Sequence, residues 1–253
     1  MLAFFFALPP FTILLVFAVV GLFLAVAGVG ALRYLSVHAR HDAFTIPAPA
    51  FLGTIATAWA LSMGFVAADA WSLNSRADLA VSQERSAILR LLDTANPLVL
   101  DNDALRAAVL TYRTRVAEGE WGSGRNVEPA ADVDQAILII RSIVQKLALA
   151  GTPGPIVSQL VSDFDELQDA RNARLAIANT SVDEYKWYLV LFLTTLTAVT
   201  ISAIHADRVI AGRRALALYI LTASVSLWIL ASHANPYGGA GELKPDLLFT
   251  THR

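Results

Sequence analysis

Four apolar stretches, two towards each end of the chain, enclose a polar middle of roughly 110 residues. They run over Phe11–Leu32, Phe51–Trp71, Trp187–Ile204 and Ala215–Ala231. Each approaches the ~20 residues that a helix needs to cross ~30 Å of hydrocarbon. Their interiors hold no Lys, Arg, Asp or Glu except Asp69, close to one end. A stretch of this kind satisfies its backbone internally only as a helix. The pattern therefore predicts an all-α membrane protein of four transmembrane helices. They form two hairpins, with an extramembrane antiparallel helical bundle between the second and third spans.

The segment boundaries follow from the same pattern. Residues 1–72 form the first transmembrane hairpin, 73–186 the bundle, 187–233 the second hairpin, and 234–253 a C-terminal tail. The opening MLAFFFALPPF lacks the positive n-region and small-residue cleavage site of a signal peptide, and reads as a retained lead into the first span. Charged residues make up 16% of the chain, well below the roughly one quarter of soluble domains. A net charge of −2 gives no support for nucleic-acid binding. The chain has no cysteine, so disulfides, thiolate metal sites and Cys nucleophiles are excluded together.

Four spans put both termini and the bundle on one side of the membrane. The two short loops on the other side carry five arginines (33, 40, 208, 213 and 214) against Asp42 and Asp207, a net of +3. The bundle, Leu73–Lys186, carries 12 basic against 16 acidic residues. Long domains translocate largely regardless of charge, so the short loops set orientation. The expectation is a multi-pass protein of a bacterial inner membrane, its loops inside, its bundle and termini periplasmic.

Within the bundle, no Pro or Gly interrupts the chain from Gly64 to Thr94, so the second span continues as one long helix until Asn96-Pro97. Its seam reads Leu73, Ala77, Ala80, Ala87, Leu91, a four-three spacing suited to coiled-coil-like packing. A second helix begins near Asp101–Asp103 with Leu105, Ala108, Val109, Tyr112 and Val116 on one face, and closes at Gly119 and Gly122–Gly124. A third runs from about Ala130 to Ala150, and a fourth from about Pro155 to a break near Asn179. Ser181-x-x-Glu184 reads as a capping box before the third span.

Glu84 falls on the seam of the outgoing helix, and Arg171 and Arg174 extend the seam of the returning one. Glu84 lies 12 residues beyond Ser72, and Arg174 lies 12 before Lys186, so antiparallel helices bring them to one level. A carboxylate on a buried stripe needs a cationic partner. A structural ion pair of Glu84 with Arg174 or Arg171 is expected, one that sets register rather than doing chemistry. Asp69 is an interfacial residue in this reading, with Lys186 as its partner.

The spans carry small residues at helical spacing: Ala18, Gly21, Ala25 and Gly28 in the first; Gly53, Thr57, Ala60, Gly64 and Ala68 in the second. Such stripes let helix backbones approach. The face of Gly53, Thr57, Ala60 and Gly64 therefore serves either as a packing face or as the lining of a pore. Thr194, Thr197 and Ser202, with Thr222, Ser224 and Ser226, either line a hydrated path or bond back to their own helices. His38, His41, Asp42, His205 and Asp207 share the loop side and are metal-ligand types, but a basic, His-containing rim at the headgroups is the commoner arrangement, and no metal is assigned. No catalytic residues and no cofactor are assigned either: nothing resembles a P-loop, a dinucleotide fingerprint, HExxH or a nucleophile elbow.

Three features together resemble the bacterial bestrophin-like family. One is the second span running into a polar helix with a seam Glu, GFVAADAWSLNSRADLAVSQERSAILRLL. Another is the Arg-rich return Arg171-Asn172-Ala173-Arg174-Leu175. The third is the aromatic turn Asn235-Pro236-Tyr237-Gly238-Gly239, similar to the family's acidic-Pro-Phe-x-Gly ending with Asn for Asp and Tyr for Phe. Bestrophins proper are oligomeric anion channels with four membrane helices per subunit and a cytosolic helical part. The resemblance thus implies a homo-oligomeric passive anion channel. A non-conducting scaffold or accessory subunit of a larger membrane complex accounts for the same stripes. The sequence departs from bestrophins in lacking an acid cluster matching their calcium clasp, an aromatic neck along the second span, and, by the charge rule, a cytosolic placement of the bundle.

Overall fold

The structure is a computed structural model that describes residues 5–6, 8–38, 49–121, 128–180, 183–238 and 242–249. Among these residues the regular elements are all helical: α1 (Pro10–His38), α2 (Pro49–Thr94), α3 (Asp103–Gly119), α4 (Ala131–Leu149), α5 (Gly154–Ala178), α6 (Glu184–Ile204) and α7 (Val209–Ser232), with a 3₁₀ turn at Pro245–Leu248. Helices α1, α2, α6 and α7 are long and apolar enough to cross a membrane. The chain divides into two compact units, residues 1–72 with 182–234, and residues 73–181 with 235–253.

In the first unit, α1, α6 and α7 pack closely on one another. Glycine permits the approach of α1 to α7. A Cβ built on Gly21 would lie 2.5 Å from the Ser224 hydroxyl, and one on Gly28 would lie 2.5 Å from a Leu216 methyl. Gly212 is less tight, its built Cβ 2.8 Å from the His205 Cβ and 3.0 Å from a Leu32 methyl. Helix α2 joins this unit through Met63, Val66 and Ala70, and the Trp59 indole donates to the Thr194 hydroxyl at 2.9 Å. The N-terminal lead also packs here: Phe6 is buried with its ring 4.9 Å from that of Trp187. Large apolar side chains such as Leu22, Phe23 and Val26 point outward, as a lipid-facing surface requires.

Four of the hydroxyls named in α6 and α7 bond back to their own helices. Thr194, Thr197 and Thr222 donate to the carbonyls four residues earlier; Ser202 donates to Ala198 and also to the Gly28 carbonyl at 3.2 Å.

In the second unit, the seam residues Leu73, Ala77, Ala80, Ala87 and Leu91 are all buried. Helix α2 ends where Asn96 turns the chain, its carbonyl accepting from Val99, Leu100 and Asp101. Asp101 takes a positive φ of 50°, a conformation that Asp tolerates better than most residues. Asn102 then caps α3 by accepting the Leu105 N–H at 2.8 Å. Helix α3 buries Leu105, Ala108, Val109, Tyr112 and Val116; α4 buries Val133, Ile137, Ile140 and Val144; and α4 packs between α3 and α5. Gly151, at φ 81°, ends the turn after α4, and Pro155 opens α5.

The start of α6 differs from the capping-box reading. Its N-cap is Asp183, which accepts the Tyr185 N–H at 2.9 Å; Ser181 lies outside the described residues. The acid one residue before Glu184 reaches that N–H directly, and its charge suits a helix N-terminus.

Candidate functional site

At one level of the bundle unit, α2, α3 and α5 each contribute a polar side chain from a buried stripe. Glu84 (α2) and Arg174 (α5) are wholly buried and joined: Arg174 Nε donates to Glu84 Oε2 at 2.6 Å and Arg174 Nη2 to Oε1 at 3.3 Å. The Tyr112 hydroxyl (α3) donates to the same Glu84 oxygen at 2.6 Å.

Arg171, one turn earlier on α5, does not meet Glu84. Its guanidinium takes Glu120, which stands just past the end of α3, through Nε (3.1 Å to Oε2) and Nη2; Nη2 also reaches Asp134 Oδ1 at 2.8 Å. Arg174 bridges the two acids, with Nη2 2.8 Å from Glu120 Oε2. Glu120 further accepts the Ala130 N–H at 2.9 Å, which ties the start of α4 to the cluster. The result is two buried glutamates against two buried arginines, with the half-exposed Asp134 at the edge.

The electrostatics follow from this pairing. Burial pushes the Glu120 carboxyl up, but hydrogen bonds from Arg171, the Ala130 N–H and Arg174 outweigh it and hold it below the usual carboxylate range. Burial alone would lower Arg171 and Arg174, yet Glu120 and Glu84 hold both above the usual guanidinium range. Burial, then the Glu84 charge, raises Tyr112 well above an ordinary phenol, so it stays a donor.

An aromatic lid completes the cluster. The Trp121 ring lies 5.2 Å from the Arg174 guanidinium, and the Tyr237 ring stands edge-on to it at 5.8 Å. The Trp121 indole donates to the Leu243 carbonyl at 2.7 Å, and Arg113 lies over the Phe249 ring at 4.6 Å, which fixes the C-terminal segment to α3. Glu120, Trp121 and Asp134 were not singled out by the sequence. Tyr112 carried a signal that went unused: a phenol on a buried stripe needs a polar partner.

The second candidate region is the outer face of α2. Gly53, Thr57, Ala60 and Gly64 are all exposed, and a Cβ built on Gly53 or Gly64 meets nothing within 4 Å. This separates them from Gly21 and Gly28, which other side chains crowd. The Thr57 hydroxyl donates to the Gly53 carbonyl at 2.8 Å. Asp69 and Lys186, of α2 and α6, form an ion pair with both side chains partly exposed. Of the loop-side His and Asp residues, His41 and Asp42 lie outside the described residues, and His205 Nδ1 sits 2.9 Å from its own helix's Ile201 carbonyl. Among the described residues no three His, Cys, Asp or Glu side chains gather in a metal-binding group.

Four membrane-length helices together with a helical unit locked by a buried Arg/Glu cluster define a helical membrane protein. The sequence model of the Bestrophin-like domain matches residues 15–248, and the chain belongs to that family. The fold agrees. A bacterial bestrophin homolog from Klebsiella pneumoniae, solved as a point mutant, superposes with a TM-score of 0.72 at 14% identity, over 90% of this chain and 94% of that one. A second solved structure, described as a membrane protein, superposes with a TM-score of 0.72 at 15% identity and the same coverage. No curated protein matches the sequence.

Proposed function

We propose that this chain is a subunit of a homo-oligomeric, bestrophin-like passive anion channel. Its two helical hairpins cross a bacterial inner membrane, and residues 73–186 form an extramembrane bundle. In this reading several copies surround the pathway with α2 innermost, and Gly53, Thr57, Ala60 and Gly64 line it. The observation that carries the reading is that this small-residue face stays exposed in the single chain, while Gly21 and Gly28 of the α1 stripe are buried against side chains of α7. A face so small and unpartnered belongs against a neighbour or against water. The spans place no fixed acid at mid-membrane, and the arginines of the short loops, Arg208, Arg213 and Arg214 among them, concentrate anions at one mouth.

Orientation follows the same arginines, which puts the bundle and both termini in the periplasm. Phosphatase and fluorescent-protein fusions to the C-terminus test it: a phosphatase-active, dark fusion is expected, and a fluorescent one reverses the topology. The protein acts by conduction rather than catalysis. The alternative is a non-conducting scaffold, for which the same exposed face would dock a larger membrane complex; the Thr57 hydroxyl, already bonded to its own backbone, suits a dry contact too. Mass measurement in mild detergent, followed by anion flux from proteoliposomes, separates the two. A multimer that conducts supports the channel; a monomer whose vesicles leak no more than empty ones refutes it.

A further inference from the structure

A cleft of about 250 Å³ opens between α4 and α5 on the bundle unit, apart from the α2 face and independent of the conduction reading. One wall is a single stripe of α4: Asp134, then Ile137 and Leu138, then Arg141. Seven residues of helix separate its acidic and basic ends by ~10 Å. The facing wall is α5, with Gln168, Arg171 and Asn172.

The two arginines of the cleft are in different states. Arg171 is saturated by Glu120 and Asp134. Arg141 has no carboxylate within ion-pair distance among the described residues, yet it is held in place from two sides. Its Nη2 donates to Gln168 Oε1 at 2.9 Å, and its guanidinium lies 5.6 Å from the buried Phe164 ring. A guanidinium fixed by a neutral amide and a ring, with donor positions left over, is pre-organised for a planar anion.

We propose that this cleft binds a small carboxylate with a short branched apolar tail. The carboxylate sits on Arg141, in a cleft that Asn172 also lines, and the tail lies along Ile137 and the exposed Leu138. With Arg171 already taken by Glu120 and Asp134, the cleft offers a dianion only one guanidinium, and its aliphatic middle disfavours an inorganic anion. Phosphate therefore fits less well than a monocarboxylate.

The test is calorimetric titration of the full-length protein in mild detergent with isovalerate, and with isopentylamine as the cationic counterpart. Saturable binding of isovalerate in the millimolar range is expected, with none of the amine. Arg141→Gln should weaken binding at least about tenfold, since a charge-assisted hydrogen bond is lost. Arg141→Lys should keep part of it. Leu138→Ser, at a position 59% exposed and so harmless to folding, should weaken it about threefold through lost apolar contact. The proposal is overturned if isovalerate gives no saturable heat, or if Arg141→Gln binds as well as the unaltered protein. Should Arg141→Gln fail to fold, undiminished binding by Leu138→Ser overturns it instead.

Discussion

Replacing Glu84 by Ala puts the buried cluster to its hardest test. The substitution removes both of Arg174's contacts to Glu84, at 2.6 and 3.3 Å, and leaves the buried Tyr112 hydroxyl without its acceptor. Arg174 keeps Glu120, through Nη2 at 2.8 Å and through the Glu120 carbonyl at 3.2 Å. One acid then faces two guanidiniums inside the unit, with the partly exposed Asp134 as the remaining counter-charge. Removing one member of a buried pair costs about 3–5 kcal/mol. For a chain of this size that lowers the thermal midpoint by roughly 6–20 °C. Glu84→Gln restores an acceptor without the charge and should fall between Ala and the native residue. Glu84→Met combined with Arg174→Met removes one charge of each sign and leaves Glu120 paired with Arg171. It should cost less than the two single changes together by about 2 kcal/mol or more. Thermal unfolding in detergent, followed by tryptophan fluorescence, reads the native protein, Glu84→Ala, Glu84→Gln, the single variants Glu84→Met and Arg174→Met, and their double. The reasoning fails if Glu84→Ala costs under about 1 kcal/mol, or if the double variant is additive.

Two further outcomes follow. Because the Glu120 carboxyl titrates below its unfolded value when folded, its contribution is complete above the unfolded pKa and disappears as pH falls through the lower folded value. The native protein should therefore lose stability steeply from about pH 4.5 downward, and Glu120→Gln, less stable at neutral pH, should show a shallower acid slope in pH-dependent unfolding. The glycines of the first unit should divide in two: Gly28→Ala, whose Cβ would meet Leu216 at 2.5 Å, should cost ~1–3 kcal/mol, while Gly53→Ala and Gly64→Ala, which meet nothing, should leave the thermal midpoint within a few degrees.

Much of the helical layout is readable from spacing alone. The buried residues of α3 are those of its apolar face, and Asn96-Pro97 stands just past the end of α2. Counting residues along the two seams sets Glu84 and Arg174 at one height, and their side chains meet there. The partner of Arg171 is another matter. Glu120 follows Gly119 at the end of α3, and a residue beyond a helix end carries no periodic signature to mark it as buried. Trp121 and the C-terminal segment meet through contacts such as Trp121 to Leu243, 122 positions apart, which no local pattern encodes. The cap of α6 escaped for a smaller reason: Ser181 and Asp183 both suit an N-cap, and only backbone geometry chooses between them.

The central claim is that the exposed face of α2 lines an anion pathway, and the lack of native cysteines makes it directly measurable. Ala60→Cys, on that face, and Phe23→Cys, on the outward face of α1, can each be reconstituted into proteoliposomes and treated with a charged thiol reagent. The account predicts that modification at position 60 sharply changes anion flux while modification at 23, if it occurs in lipid, does not. Unchanged flux after complete labelling of Ala60→Cys, or a thiol there that the reagent never reaches, would contradict it.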